Sequence, residues 1–165
     1  MCGIAGAVWW QKNDRIDADV LKRMTDAIQH RGPDAEGFWR HEQESDHRPG
    51  VALGHRRLSI IDVDGSAQPL CNEDGSIWIA FNGEIYNYQE LRPNLLAAGH
   101  KFRTDGDTEV IVHLYEQYGL DFVDHLRGMF AIAIWDANQQ QLVICLLYTS
   151  PSPRDQRGSR MPSSA

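Results

Sequence analysis

Cysteine stands at position 2, directly after the initiator methionine. Removal of Met1 would leave a thiol and a free α-amino group on one residue, a nucleophile that carries its own base. An α-amine titrates at about 7.7–8.0, close to working pH, and can take up a thiol proton and hand it to a leaving group. Such a residue could attack an amide or ester carbonyl. From position alone, Cys2 reads more simply as a small hydrophobe opening a buried strand, because free cysteine is commonly buried. Other polar residues have equally plain readings. Asn82-Gly83 reads as a hairpin turn, Arg57 as a strand arginine at the surface, and Asp107 as the cap or dipole partner of a following helix. The histidines number seven, with no His-x-x-x-His pair or carboxylate cluster at ligand spacing, so they are expected to be scattered and no metal is assigned.

The elements that would position these residues follow from hydrophobic pattern. Residues 2–9 form a short apolar run fitting a buried strand that starts almost at the first residue. Between 17 and 30, Val20, Leu21, Met24, Ala27 and Ile28 put an apolar stripe on a helix behind an Asp17 cap, stopped by Arg31-Gly32-Pro33-Asp34. Strands are expected around 37–40, 50–55, 57–62 and 77–81. Asn87 to Glu90 has capping-box spacing for a helix ending near Gly99, although Pro93 suits only a first turn. A cleaner helix spans 108–118, with Gly119 as its stop. Two strands, 129–135 and 141–145, read as a hairpin, and the whole as α+β layers. Trp9-Trp10 is expected half exposed beside the site.

Composition narrows the class. The chain has 165 residues, 42% hydrophobic and 24% charged, enough for one compact core. Sixteen Lys and Arg against 23 Asp and Glu give a net charge of -7 with no basic block, which argues against nucleic acid as a partner. No apolar run reaches the roughly 20 residues that cross a bilayer, and the N-terminus lacks a secretory pattern, so a cytoplasmic protein off the membrane is expected. Three widely spaced cysteines, Cys2, Cys71 and Cys145, do not suggest disulfides.

Seven motifs occur in order: Met1-Cys2-Gly3-Ile4-Ala5-Gly6, His30-Arg31-Gly32-Pro33-Asp34, Gly54 to Asp62 (GHRRLSIID), Gln68-Pro69, Phe81-Asn82-Gly83-Glu84-Ile85-Tyr86-Asn87, Asp107-Thr108-Glu109 and Gly128-Met129-Phe130-Ala131. Over residues 2–145 this order resembles the class II glutamine amidotransferase domain of asparagine synthetases. The resemblance implies an N-terminal-nucleophile fold, an α+β sandwich of two antiparallel sheets flanked by helices, and hydrolysis of L-glutamine to glutamate and ammonia. It implies Cys2 as nucleophile, and the Asn82 side chain with the Gly83 N–H as oxyanion donors. It further implies Arg57 on the substrate carboxylate, Glu84 and Asp107 near its amine, and backbone groups from Leu58 through Ile60 and Ile61 lining the pocket. His30 to Asp34 would order the site without doing chemistry.

The glutaminase part implies no cofactor; ATP and Mg²⁺ would serve a synthetase domain whose nucleotide loop this sequence lacks. From Leu146 the pattern ends: the last 20 residues hold three of the seven prolines and five serines and no periodicity, which reads as a foreign, unstructured tail on a truncated chain. The face meant for the absent domain is expected to expose an apolar patch and favour self-association. Two alternatives stand beside this reading: the glutaminase domain of another amidotransferase, such as a glucosamine-phosphate or phosphoribosylamine maker, and a module that senses glutamine without turnover.

Overall fold

A computed structural model of the chain describes residues 2–42, 48–58 and 67–147. Strands β1 (Gly3–Trp9), β2 (Ala35–His41) and β3 (Gly50–Arg57) form an antiparallel sheet in the order β1-β3-β2. A second antiparallel sheet, ordered β4-β5-β6-β7, contains β4 (Leu70–Cys71), β5 (Ile77–Ile85), β6 (Gly128–Asp136) and β7 (Gln141–Leu146). Helix α1 (Ala18–Asp26) lies on the first sheet; α2 (Tyr88–Ala97) and α3 (Asp107–Tyr118) lie on the second. No helix among the described residues is long and apolar enough to cross a membrane.

Strand alternation explains the layering. On β3, Val51 and Leu53 pack with Ala133 and Trp135 of β6 between the sheets, whereas Ala52 faces Leu21 of α1. On β5, Ile77, Ile79, Phe81 and Ile85 turn toward α3 with Ile111 and Leu114, and Trp78 turns toward the first sheet. The order is helix, sheet, sheet, helix, and every residue of β3 is buried because it is central and covered on both faces. Consequently β3 runs unbroken to Arg57, where the sequence suggests two strands. The rest of the expected 57–62 strand, beyond Leu58, lies outside the described residues.

Helix ends show which local signals were used. Asp17 Oδ1 accepts from Val20 N at 2.7 Å, the expected cap, but α1 stops at Asp26 and the chain continues as a 3₁₀ turn at Gln29–Arg31. Asn87 precedes α2 without capping it. Its amide instead donates to His125 O at 2.9 Å and accepts from Arg127 N at 2.9 Å, tying the segment before β6 to the end of β5. Pro93 sits inside α2, which begins at Tyr88. Helix α3 ends as expected at Gly119, whose φ of 58° favours glycine. Its first nine residues, Asp107 to Tyr115, are all buried, polar ones included, so it is far more enclosed than a one-faced surface helix.

The hairpin of β6 and β7 forms around Asp136, whose Oδ1 accepts from Asn138 N and Gln139 N. β7 runs one residue past the expected boundary, through Leu146. Strands β1 and β7 border an apolar cleft lined by Ile4, Val8, Leu53, Leu142, Ile144 and Leu146, with Ile144 74% exposed.

The segment leading into β4 is seated on the first sheet at Gly37, where a Cβ would come within 1.9 Å of the Gln68 carbonyl oxygen. Both groups are backbone and neither can swing aside. Gly37→Ala should therefore destabilise the fold by about 1–3 kcal/mol in urea unfolding, with Ala35→Gly as an exposed control on the same strand.

Candidate active site

Cys2 immediately precedes β1, whose first residue, Gly3, pairs with Arg56 of β3. Its Sγ lies 3.3 Å from the Leu58 N–H, and its carbonyl oxygen accepts from Arg31 Nε at 3.1 Å. The 3₁₀ turn delivers Arg31, after which Gly32 crosses β3 so closely that a Cβ would lie 2.5 Å from the Arg56 carbonyl. Asp34 N then donates to Arg57 O at 3.0 Å. Arg31, Gly32 and Asp34 of the His30 to Asp34 motif thus hold the backbone of Cys2 and the end of β3. Arg56, buried beside it, pairs with Asp26 and with Glu36 at 2.7 Å, anchoring α1 and β2 to the same strand end.

Asn82 and Gly83 are not a turn. They lie within β5, opposite Ala131 and Phe130 of β6. The hydrogen bond from Tyr86 N to Arg127 O continues the register in which even-numbered residues of this strand bond β6. Odd-numbered residues present their N–H and C=O on the opposite edge. There, Phe81 N donates to Gln68 Oε1 at 2.6 Å, Phe81 O meets His55 Nε2 at 2.9 Å, and Ile85 N donates to Asp107 Oδ2 at 3.0 Å. Gly83 falls between these, so its N–H points to an edge that β4 is too short to cover. A Cβ at Gly83 would strike Met129 O at 2.1 Å, which accounts for glycine.

Alternation also sorts the side chains. Asn82 and Glu84 share with Trp78 the face of β5 turned to the first sheet; Cys2 shares with Ile4 and Val8 the inward face of the β1 line; Arg57 shares with Val51, Leu53 and His55 the inward face of β3. Cys2, Arg57, Leu58, Asn82, Gly83 and Glu84 therefore gather at one end of the sandwich. The Asn82 amide and the Glu84 carboxylate make no hydrogen bond with the described residues. Asp107 joins from the other side of β5 as the first residue of α3, and burial foremost, with Glu84 nearby, raises its pKa. It is not the helix cap expected: Gly106 holds that position and the Asp107 carboxylate is spent on Ile85. Ile60 and Ile61 lie outside the described residues.

Two contributors were missed, and a third, Arg31, belongs to the ordering motif but had no stated contact. His55 is buried between the sheets, and desolvation, aided by the Arg57 charge, pushes its pKa down to about 4, so it is neutral and donates from Nε2 to Phe81 O. Gln68 holds the other side of Phe81 while its amide reaches Thr108 Oγ1 at 3.3 Å. Arg31 holds the Cys2 backbone. Only their presence within the motifs marked them. Two expectations need correction. Trp9 is buried at the far end of β1, about 20 Å along the strand from Cys2, so the Trp9-Trp10 pair is not beside the site. Nor are all histidines scattered: His100 and His113 lie 4.8 Å apart by ring centroids and share a cluster with Glu73. The sequence signal overlooked was the helical spacing His113-x-x-Glu116.

Two antiparallel sheets stacked between helices, with cysteine at the head of the first strand, define an N-terminal-nucleophile amidotransferase fold. The glutamine amidotransferase domain family matches residues 1–147, and the chain belongs to that family. It is 47% identical over 146 residues to asparagine synthetase (glutamine-hydrolyzing) 2 of Bacillus subtilis (strain 168), covering 87% of this chain and 18% of that protein. With asparagine synthetase (glutamine-hydrolyzing) 1 of Arabidopsis thaliana it shares 40% over 144 residues, covering 87% and 23%. Among solved structures, the glutamine phosphoribosylpyrophosphate amidotransferase of B. subtilis complexed with ADP and GMP superposes with a TM-score of 0.64 at 19% identity, over 88% of this chain and 37% of that one. That likeness is one of fold. The chain thus spans 18% to 23% of the length of these curated relatives.

The His55 pKa has a consequence for stability. Its value is about 4 folded against 6.5 free, so the unfolded chain binds the extra proton first as pH falls. Stability from this group is complete above pH 6.5 and declines toward pH 4, by about 1.4 kcal/mol per unit at most and about 3 kcal/mol in all. His55→Gln, which keeps a donor without titrating, should flatten urea-unfolding free energy over that window relative to the parent.

Proposed function

We propose that this chain hydrolyses L-glutamine to glutamate and ammonia with Cys2 as nucleophile, as the glutaminase part of an asparagine synthetase. Once Met1 is removed, the α-amine of Cys2 takes the thiol proton, and the sulfur adds to the side-chain amide carbon of glutamine. The resulting oxyanion is met by the Gly83 N–H on the open edge of β5 and by the Asn82 amide. Collapse of this intermediate breaks the C–N bond, the amine returns its proton to the departing nitrogen, and ammonia leaves a thioester. Water, deprotonated by the same amine, cleaves the thioester to glutamate and frees the thiol.

Arg57 would receive the substrate carboxylate in a two-bond fork, and Glu84 and Asp107 its ammonium. A substrate ammonium beside Asp107 would offset the burial that otherwise disfavours its charge. The ammonia would pass to an ATP-dependent domain that activates aspartate; ATP and Mg²⁺ serve that step and not the hydrolysis. Relatives named as glutamine-hydrolyzing asparagine synthetases support this acceptor over a sugar-phosphate one. The single observation carrying the reading is the seating of Cys2, its sulfur on the Leu58 N–H and its backbone held by Arg31.

A glutamine-mimicking electrophile should label the protein once, with peptide mapping placing the adduct on a Cys2 that lacks Met1. Retained Met1, or an adduct elsewhere, would overturn the assignment. Cys2→Ala should abolish ammonia release, and Asn82→Ala should lower kcat by about 10²–10³ with a smaller change in KM. In the parent, the rate should fall as pH drops below the amine pKa, about 7.7–8.0.

A further inference from the structure

We propose that Glu73, His100, His113 and Glu116 form a binding site for one zinc ion, separate from the Cys2 site and independent of its function. The four come from three places: the turn between β4 and β5, the loop after α2, and one face of α3. The donors that face one another are Glu73 Oε2, His100 Nδ1, His113 Nδ1 and Glu116 Oε2. Glu116 Oε2 lies 2.7 Å from His113 Nδ1 and 3.4 Å from His100 Nδ1, and Glu73 Oε2 lies 3.9 Å from His113 Nδ1. Donor atoms of Glu73, His100 and His113 all lie within 4.8 Å of one another. Tetrahedral zinc with bonds near 2.0–2.2 Å sets its donors about 3.3–3.5 Å apart, so the observed separations surround the required one.

The outer atom of each residue is already bonded or faced by a neighbour, and the inner His113 Nδ1 and Glu116 Oε2 share a hydrogen bond at 2.7 Å, whose proton zinc would displace. Glu73 Oε1 accepts from Lys101 N at 2.8 Å, and His100 Nε2 meets Gln117 Oε1 at 3.2 Å. Glu116 Oε1 accepts from Asn72 Nδ2 at 2.8 Å. His113 is fully buried, and its Nε2 has no hydrogen bond but faces Glu109 Oε1 at 3.8 Å. Glu109 is itself fixed by Arg103 N, Thr104 N and Thr104 Oγ1. The amide behind His100 is the kind of support that orients a metal-binding histidine through its second nitrogen, and the Glu109 carboxylate stands behind His113 beyond hydrogen-bond distance.

Two nitrogen and two oxygen donors suit zinc, and the absence of a thiolate disfavours copper(I). Access runs past Glu73, 36% exposed, and Glu116, 21% exposed, toward the enclosed His113. Zinc there would clamp the β4–β5 turn and the α2–α3 loop onto α3, the helix that begins with Asp107.

Metal-stripped protein titrated with zinc chloride should bind one equivalent, and Tm should rise by about 5–10 °C near 100-fold excess over Kd. Cobalt(II) should give tetrahedral visible bands without thiolate charge transfer, which excludes Cys2 and Cys71 as ligands. His100→Ala and Glu73→Gln, both toward the surface, should each weaken binding by about 100-fold or more with unchanged circular dichroism. Gln117→Ala, touching only the outer nitrogen of His100, should weaken it by about 10-fold. Absence of saturable one-to-one binding, thiolate bands, or variants that bind as tightly as the parent would each overturn the site.

Discussion

An unpaired stretch of strand edge, from Phe81 to Ile85, governs how this molecule is arranged. β4 ends after two residues, so among the described residues no strand meets the far edge of β5 from Phe81 to Ile85, where Phe81 and Ile85 are buried and Gly83 between them is exposed. Side chains from three other elements take over. Gln68 accepts from Phe81, His55 of the first sheet holds its carbonyl, and Asp107 of α3 accepts from Ile85. Of the three donors on that stretch of edge, the Gly83 N–H alone has no partner among the described residues.

The same bonds stack the layers. His55 crosses from β3 to β5, so the sheet bearing Cys2 and the sheet bearing Asn82 are joined one residue before Asn82. Neutrality of the imidazole suits this role: a charged ring would carry its desolvation cost into the space beside Arg57. Asp107 binds α3 to the other end of the stretch. Bonds from β3 and α3 thus meet on the one five-residue segment that carries Asn82, Gly83 and Glu84.

Much of this was legible in sequence, for unequal reasons. Strands β1, β5, β6 and β7 and helices α1 and α3 follow from apolar period, which packing enforces directly. Cys2, Arg57, Asn82, Gly83, Glu84 and Asp107 were marked by motif order, and alternation in the strands accounts for their convergence. What failed depended on long-range partners. Asn82-Gly83 has the chemistry of a turn but is held extended by its pairing with β6. Asn87 has the chemistry of a cap but is taken by His125 and Arg127, 38 and 40 residues away. His55, Gln68 and the His100 and His113 cluster were hidden because a lone polar residue shows no period, and its partner is set only once the sheets stack.

Strand β1 lies at the margin of its sheet and has β3 as its sole neighbour. The Cys2 thiol is therefore mounted at the head of an edge strand, secured at its root by Arg31 and Leu58. Peeling of that strand would cost far less than melting the sandwich, since the packing beneath β5 and α3 would persist. The seating of Cys2 and bulk secondary structure are consequently separable properties, and a well-folded preparation is no guarantee of the first.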